Sequence, residues 1–172
     1  GKAGAPATSI TMEVQNLAKA QSTASAAVPT GAAMGTGSMT IELGQWTGSS
    51  FAAGSGTPVT VTIGAGEDSL AEIAAKINES DAGVSATVLK DASGERLLMR
   101  SKDTGVENAF RITVADDDGQ PTDASGLSRL AFSVGNANGM GRSQSAENAL
   151  ATINNVSISS ASNKLSDTLT GM

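Results

Sequence analysis

The sequence has no cysteine, no histidine and no tyrosine, and each absence excludes a class of site. Without cysteine no disulfide can form, so packing alone must hold the fold together. Without histidine and cysteine, the common zinc ligand sets and the Ser–His and Cys–His nucleophile pairs are excluded. The absence of tyrosine removes another general acid. Carboxylates, lysines and hydroxyls remain for chemistry. We therefore predict a protein that is not an enzyme and that binds no cofactor.

Positive charge and aromatic side chains are also scarce. The 11 Lys and Arg residues are outnumbered by 17 Asp and Glu residues, which gives a net charge of −6. Nucleic acids and anionic membranes bind clustered basic residues, so we predict neither as a partner. No apolar run is as long as a membrane-spanning helix. Aromatics make up 2% of the chain, so a core must be built from aliphatic side chains on many short elements.

Most of the regular structure is predicted to be β. Apolar residues alternate with polar ones in short runs, which is the pattern of half-buried strands. These runs are centred on residues 10–14, 39–43, 59–63, 84–88, 96–100 and 110–114. A short turn and a last strand are predicted within residues 126–134. The fold class is therefore predicted to be α+β and mainly β.

One helix is predicted clearly, from Ser69 to about Glu79. Ser69 and Glu72 have the spacing of a capping box, and the apolar residues that follow recur at helical intervals. A second, short helix that fades into coil is predicted over residues 15–28, which are rich in Ala and Ser.

Two segments rich in small residues divide the chain, residues 29–37 and 135–142. We expect two small antiparallel-β-rich domains. Residues 1–28 and 143–172 are expected to form a lower, discontinuous domain. Residues 29–142 are expected to form an outer domain, with at least one packed helix, that is inserted into the lower one.

The C-terminal residues 149–171 read ALATINNVSISSASNKLSDTLTG. Strand-like runs at 150–153 and 156–159 flank Asn154 and Asn155. Because Asn tolerates left-handed backbone, these two residues are predicted to form a two-residue hairpin turn. An amphipathic turn is predicted after the hairpin, with Ser162 or Asn163 as its cap and Leu165 and Leu169 as its apolar residues.

This hairpin, spacer and turn resemble the IN motif of bacterial flagellins and hook-associated proteins, with Ile153-Asn154-Asn155 in place of the usual Ile/Val-Asn-Gly. Residues 8–22, TSITMEVQNLAKAQS, look like the entry to the outer domains in the flagellar filament cap (hook-associated protein 2) family. Four further blocks then follow in that family's order: GTGSMTIELG, VTVTIGAGEDSLAEIAAKIN, GVSATVLKDASGERLLMRSKDTG and ENAFRITV. The resemblance covers nearly the whole chain.

The resemblance implies an exported structural protein at the distal tip of the flagellum, outside the cell. It implies a ring of full-length subunits that assists flagellin polymerisation without bond chemistry. Hook–filament junction proteins and host mucin or cells are further implied partners. In the family the lower domain continues past the IN motif, so we expect that domain to be incomplete on its C-terminal side. The alternative is an exported β-rich adhesion or carbohydrate-binding module, such as an outer domain of a flagellin.

The acidic run Asp116, Asp117 and Asp118 suggests a calcium loop. A calcium loop has Gly at position 6, acidic or amide oxygens at positions 1, 3 and 5, and Glu at position 12. With Gly119 at position 6, positions 1 and 12 fall on residues 114 and 125, which are Val and Ser. A solvated turn is therefore predicted instead of a metal site.

Other candidate sites also favour structural interpretations. Ser38 and Ser55 lie beside glycines but lack a histidine base. Lys102 and Asp103 are predicted to lie in a turn held by the Asp103 side chain. Trp46 and Phe51 are either a contact surface or, as we favour, buried anchors of their loop. We predict no catalytic, cofactor-binding or metal-binding residue. Two sequons, at 78–80 and 155–157, and the glycine-rich segments 31–37 and 135–141 carry no further prediction.

Overall fold

The protein is mainly antiparallel β with one packed α-helix, which confirms the predicted fold class. In the computed structural model, residues 11–164 are described. The strands are β1 (Met12–Asn16), β2 (Ser22–Ala24), β3 (Gly37–Thr47), β4 (Ser50–Ala53), β5 (Val59–Ile63), β6 (Val84–Asp91), β7 (Gly94–Ser101), β8 (Ala109–Asp116), β9 (Gly141–Gln144), β10 (Ala149–Ile153) and β11 (Val156–Ser160). The helix α1 spans Leu70–Glu79, and short 3-10 helices span Val106–Asn108 and Gly126–Leu130.

The strands form three sheets. The small sheet has the order β1-β10-β11, and a four-stranded sheet has the order β6-β7-β2-β9. In the third sheet the long strand β3 pairs along one side with β8, and along the other side first with β5 and then with β4. Both four-stranded sheets and α1 contribute to one continuous apolar core.

The helix α1 begins as predicted. The Ser69 hydroxyl accepts a hydrogen bond from the Glu72 backbone N–H at 3.3 Å. The buried face of α1 packs mainly on β6 and also touches β7 and β5. The buried residues of α1 are Leu70, Ile73, Ala74 and Ile77.

Within the described residues, no helix is both long and apolar enough to cross a membrane.

Two amide side chains take the place of a neighbouring strand. Gln21, fully buried, donates to the Phe110 carbonyl at 3.0 Å and accepts from the Phe110 N–H at 3.4 Å. The side chain of Asn78, at the end of α1, donates to the Ala86 carbonyl at 2.9 Å and accepts from the Ala86 N–H at 2.8 Å. Buried backbone groups need partners, and these amides supply them on the sides of β8 and β6 that face away from β3 and β7.

The helix predicted over residues 15–28 is wrong. That segment holds the end of β1, all of β2, and single β-bridges from Lys19 to Glu147 and from Val28 to Glu95. Pairing with distant strands prevails here over the helical preference of alanine. Of the turn and strand predicted within residues 126–134, the turn is the 3-10 helix Gly126–Leu130, and the strand is reduced to one bridge between Ile112 and Phe132.

The hairpin turn at Asn154 and Asn155 is confirmed. Both residues have left-handed backbone, with φ of 49° and 65°, and Ile153 pairs with Val156 across them. Two adjacent residues with positive φ define the hairpin turn that matches the twist of the strands. The amphipathic turn predicted for Leu165 and Leu169 lies outside the described residues.

The domain division predicted at residues 28/29 and 142/143 stays a prediction. β2, which belongs to the predicted lower domain, pairs with β7 and β9 in the four-stranded sheet. Only β1, β10 and β11 make up the small sheet.

Candidate functional site

The site best defined by this fold is the junction between the small sheet and the two larger sheets. Four segments meet there: residues 17–21, 102–108, 145–148 and 161–163. The backbones of Lys19 and Glu147 exchange hydrogen bonds of 2.9 Å and 3.0 Å. Their side chains lie 3.7 Å apart and are nearly half exposed, so this ion pair adds little stability. The backbone pairing holds the segments around Lys19 and Glu147 side by side.

The turn at Thr104 and Gly105 hydrogen-bonds to the two segments that flank the small sheet. The Gly105 N–H donates to the Lys19 carbonyl at 3.1 Å, and the Thr104 hydroxyl donates to the Ala161 carbonyl at 2.7 Å. Gly105 has φ of +108°, and a Cβ there would lie 2.9 Å from the Ala161 Cβ. A side chain at position 105 would therefore push the two parts of the molecule apart.

Two asparagines complete the junction. The Asn148 Oδ1 accepts from the Val106 N–H at 2.9 Å, while its Nδ2 donates to the Ser159 hydroxyl at 3.1 Å. The Asn163 amide accepts from the Ala18 N–H at 2.7 Å and donates to the Ala18 carbonyl at 3.3 Å. Directional hydrogen bonds thus cross the junction at several points, which restricts rotation of the small sheet.

The turn before Gly105 differs from the prediction. The predicted hydrogen bonds from the Asp103 side chain are not found within the described residues, and the Lys102 Nζ lies 3.9 Å from an Asp81 carboxylate oxygen. The Asn108 side chain donates to the Thr104 carbonyl at 2.9 Å and so holds the turn. The sequence placed a turn here correctly, but the residues that contact the small sheet were missed because their partners lie far away in the chain.

A cleft of about 620 Å³ opens between the β3–β4 hairpin and the junction. Its volume falls in the range of small-molecule sites. Among residues 11–164, Glu107 is the single ionisable residue in its lining, so these residues offer no pair of groups for acid–base catalysis there. The lining residues are Leu43, Gly44, Gln45, Ala52, Ala53, Gly54, Ser55, Gly56, Glu107, Asn108, Asn148 and Ala161.

Trp46 and Phe51 anchor the β3–β4 hairpin. Their rings lie 4.9 Å apart, and Trp46 also makes an edge contact with Phe132 at 5.8 Å. The Trp46 Nε1 donates to the Phe110 carbonyl at 3.0 Å. The Arg111 guanidinium lies 4.8 Å from the centre of the Phe51 ring. Both aromatic residues are half-buried, in line with the favoured interpretation as loop anchors.

The acidic loop brings Asp116, Asp118 and Asp123 together, with carboxylate oxygens within 4.8 Å of one another. Burial raises the pKa of Asp116, but hydrogen bonds from Ser128 and from the Asp118 backbone outweigh it and hold the pKa below its usual value. The Ser128 hydroxyl and N–H donate to Asp116 at 2.7 Å and 2.8 Å. These contacts shape a hydrogen-bonded loop. The predicted absence of a metal site stays a prediction.

A family model described as the flagellin hook IN motif matches residues 50–103. This match covers β4, β5, α1, β6 and β7, and not residues 149–171, to which the sequence analysis assigned the motif. Both segments contain an Ile-Asn pair. In the matched segment it is Ile77-Asn78, and Asn78 is the residue that pairs with the backbone of Ala86.

Relatives and solved structures agree on one family. Flagellar hook-associated protein 2 of Escherichia coli K12 is 41% identical over 115 residues, which are 64% of this chain and 23% of that protein. The crystal structure of the D2-D3 domains of the Escherichia coli flagellar cap protein FliD has a TM-score of 0.76 at 32% identity, over 94% of this chain and 80% of that one. FliD from Pseudomonas aeruginosa PAO1 has a TM-score of 0.74 at 29% identity, over 98% and 72%. The chain spans about a quarter of the length of the curated relatives and most of a solved pair of domains.

Proposed function

This chain belongs to the flagellar hook-associated protein 2 family, the flagellar cap proteins, and on that premise we propose that it forms the outer part of a structural cap at the tip of the bacterial flagellar filament. The observation that carries the proposal is the match to the D2-D3 domains of a flagellar cap protein over 94% of this chain. Domains of one family that share a fold over nearly their whole length support a shared structural role.

We propose that the cap acts on flagellin mechanically. Holding subunits at a growing end requires a surface that keeps its shape, and the hydrogen bonds of the junction restrict movement between the small sheet and the rest of the molecule. The proposed action is non-enzymatic and chaperone-like: the cap retains arriving flagellin until it joins the filament.

The remaining partners are proposed on the family resemblance alone. They are further copies of the full-length protein, which would form a ring, the hook–filament junction proteins, and host mucin or cells. The proposed location is extracellular, at the flagellar tip.

A domain exchange tests the proposed function. In a strain without its own cap protein, the D2-D3 domains of a full-length cap protein are replaced by this chain. We expect filaments of near-normal length and little unpolymerised flagellin in the medium, measured by electron microscopy and immunoblotting. Deleting the same domains without replacement is the matched control. The proposal fails if the chimera is exported and intact yet loses as much flagellin as the capless strain.

A further inference from the structure

Two hollows meet at the edge strand β9, and Arg142 is common to both of their linings. The smaller hollow has a volume of about 160 Å³, and the larger one has a volume of about 370 Å³. We call the two hollows together with Arg142 the β9 groove. Apolar residues supply much of each wall: Trp46, Val106, Ala109 and Ala146 in the smaller hollow, and Phe132, Val134, Ala137 and Met140 in the larger one.

A β-bulge determines which way Arg142 faces. On β9, Gln144 pairs with Ser22, whereas Arg142, two positions earlier, pairs with Thr23. β9 therefore carries one residue more than β2 over this stretch, and a bulge of this kind redirects a side chain. Thr23 is buried, and its hydroxyl lies 3.8 Å from the sulfur of the core residue Met140. Because directly opposed residues share a face of a sheet, Arg142 lies on the side that faces the core.

Arg142 is exposed, and it forms no ion pair in the part of the chain that the structure describes. The side chains of its neighbours Ser143 and Gln144 donate to backbone carbonyls of residues 20–22, whereas the Arg142 guanidinium makes no hydrogen bond to residues 11–164. Among these residues, neither hollow has Asp or Glu in its lining, although the chain as a whole has a net charge of −6. The β9 groove is therefore locally positive and complementary to a carboxylate.

The backbone of β9 offers a second way to hold a ligand. β9 is the last strand of the sheet β6-β7-β2-β9, and an edge strand presents unpaired N–H and C=O groups on its free side. An extended peptide beside such an edge gains main-chain hydrogen bonds while alternate side chains enter neighbouring pockets. Side chains two residues apart point the same way and lie about 7 Å apart. A cavity of about 150 Å³ takes a benzene-sized group, so each hollow has room for one apolar side chain.

We propose that the β9 groove binds an extended segment of a partner protein, in which an acidic residue has an apolar residue two positions away on each side. The acidic side chain pairs with the Arg142 guanidinium, whose fork holds a carboxylate through two hydrogen bonds. The two apolar side chains enter the two hollows, and the ion pair fixes the position of the segment along β9. Binding requires only this chain and not its assembly into a cap.

The fluorescence of Trp46 reports the binding, because Trp46 is the single tryptophan of the chain and lines the smaller hollow. The probe is the end-blocked synthetic peptide Ser-Leu-Thr-Glu-Thr-Leu-Ser, and the control peptide has Lys in place of Glu. Each peptide is titrated into the 172-residue chain. We expect the Glu peptide to change the Trp46 emission and to bind at least about tenfold more tightly than the Lys peptide.

Reversing the charge at position 142 tests the ion pair itself. Arg142→Glu should weaken binding of the Glu peptide at least about tenfold and should make the Lys peptide the tighter ligand. Arg100→Glu is the matched control, because Arg100 is also exposed but lies on β7, outside both hollows. This control makes the same change in net charge and should leave the preference for the Glu peptide unchanged.

The proposal fails if the Glu peptide at millimolar concentration leaves the Trp46 emission unchanged, or if the two peptides bind equally well. It also fails if Arg100→Glu and Arg142→Glu weaken binding to the same extent. Light scattering tests the other occupant of the groove, a second copy of the chain. Self-association that Arg142→Glu abolishes would show that a second copy fills the β9 groove, and that result would overturn the proposal as well.

Discussion

The two larger sheets and the small sheet differ in how far each covers its apolar side chains. Met39, Ile73 and Leu97 are fully buried, with α1 packed among the strands of both larger sheets. On the small sheet, Met12 and Val156 stay about half exposed or more. The middle of the chain therefore closes its own core, whereas the small sheet leaves apolar side chains partly exposed among the described residues.

In the part of the chain that the structure describes, the two regions are joined by polar contacts and not by a shared apolar core. The continuous core includes no residue of β1, β10 or β11, while Asn148, Asn163 and Thr104 hydrogen-bond across the junction. Hydrogen bonds give orientation but modest net stability. We expect the small sheet to open at a lower free energy than the larger sheets.

The largest expected effect comes from truncating the core of the larger sheets. Ile73 is fully buried on α1, so Ile73→Ala should lower the free energy of unfolding by about 2–5 kcal/mol. Val156→Ala, at an exposed β-branched position of the small sheet, should cost less than about 0.5 kcal/mol. Urea unfolding followed by circular dichroism measures both. Equal losses would show that the small sheet is as well covered as the core.

The substitution Gln21→Ala should have the second largest effect. The change removes the partner of the Phe110 N–H and one of the two donors to the Phe110 carbonyl, which keeps the Trp46 Nε1–H. An unpaired buried group costs about 1–3 kcal/mol. Because a buried side chain is lost as well, we expect a loss of about 2–3 kcal/mol in urea unfolding. Gln144→Ala is the matched control, because the Gln144 amide is half-buried and makes one hydrogen bond, to the Ala20 carbonyl. If Gln21→Ala lowers the free energy of unfolding no more than Gln144→Ala does, water has replaced the hydrogen bonds of the Gln21 amide.

Local patterns in the sequence identified the elements that local chemistry determines. The capping pair Ser69 and Glu72 and the spacing of the apolar residues predicted α1, and Asn154-Asn155 predicted the hairpin turn. Each of these depends on contacts within a few residues. The periodicity of two also predicted most strands of the larger sheets, which the burial patterns follow.

The sequence could not predict the features that depend on distant pairing. Gln21 and Phe110 are 89 positions apart, and Thr104 and Ala161 are 57 apart. β2 has three residues, too few to show a period. The family model for the IN motif matches residues 50–103 and not the C-terminal hairpin. An Ile-Asn pair occurs in both segments, and the pairing of Asn78 with the backbone of Ala86 belongs to the matched one.

Gly105→Ala should have the third largest effect, and it acts on the junction. The added Cβ meets Ala161 at 2.9 Å, and the backbone conformation disfavours a side chain. We expect a loss of about 1–3 kcal/mol and faster hydrogen exchange in β11 than in α1. Gly119→Ala is the control, since Gly119 also has positive φ but a Cβ there meets nothing within 4 Å. Equal effects would mean that backbone strain, and not the contact with Ala161, decides the result.

Ser69→Ala removes one capping hydrogen bond from an exposed helix end. The expected loss is about 1 kcal/mol, smaller than that of Ile73→Ala on the same helix. Thermal unfolding of the two variants measures the order. If Ser69→Ala costs as much as Ile73→Ala, the apolar face of α1 contributes less to the core than its burial indicates.

The smallest expected effect concerns the acidic loop and depends on pH. The pKa of Asp116 is held below its usual value by hydrogen bonds from Ser128 and Asp118 that outweigh the effect of burial. A carboxyl with a lowered pKa stabilises the folded state above its unfolded pKa of about 3.9, and that contribution is lost as the pH falls through the folded pKa.

Asp116→Asn should therefore destabilise the protein at pH 7, and the difference from the wild type should shrink as the pH falls below about 4. We expect less than about 1 kcal/mol at pH 7, because the loop is largely exposed and solvent weakens the interaction. Urea unfolding from pH 7 to pH 3 measures it. In a Ser128→Ala background, which removes the hydroxyl donor at 2.7 Å, the same substitution should cost less. A difference that stays constant with pH would mean that the charge of Asp116 does not stabilise the loop, and that its hydrogen bonds fix only the shape.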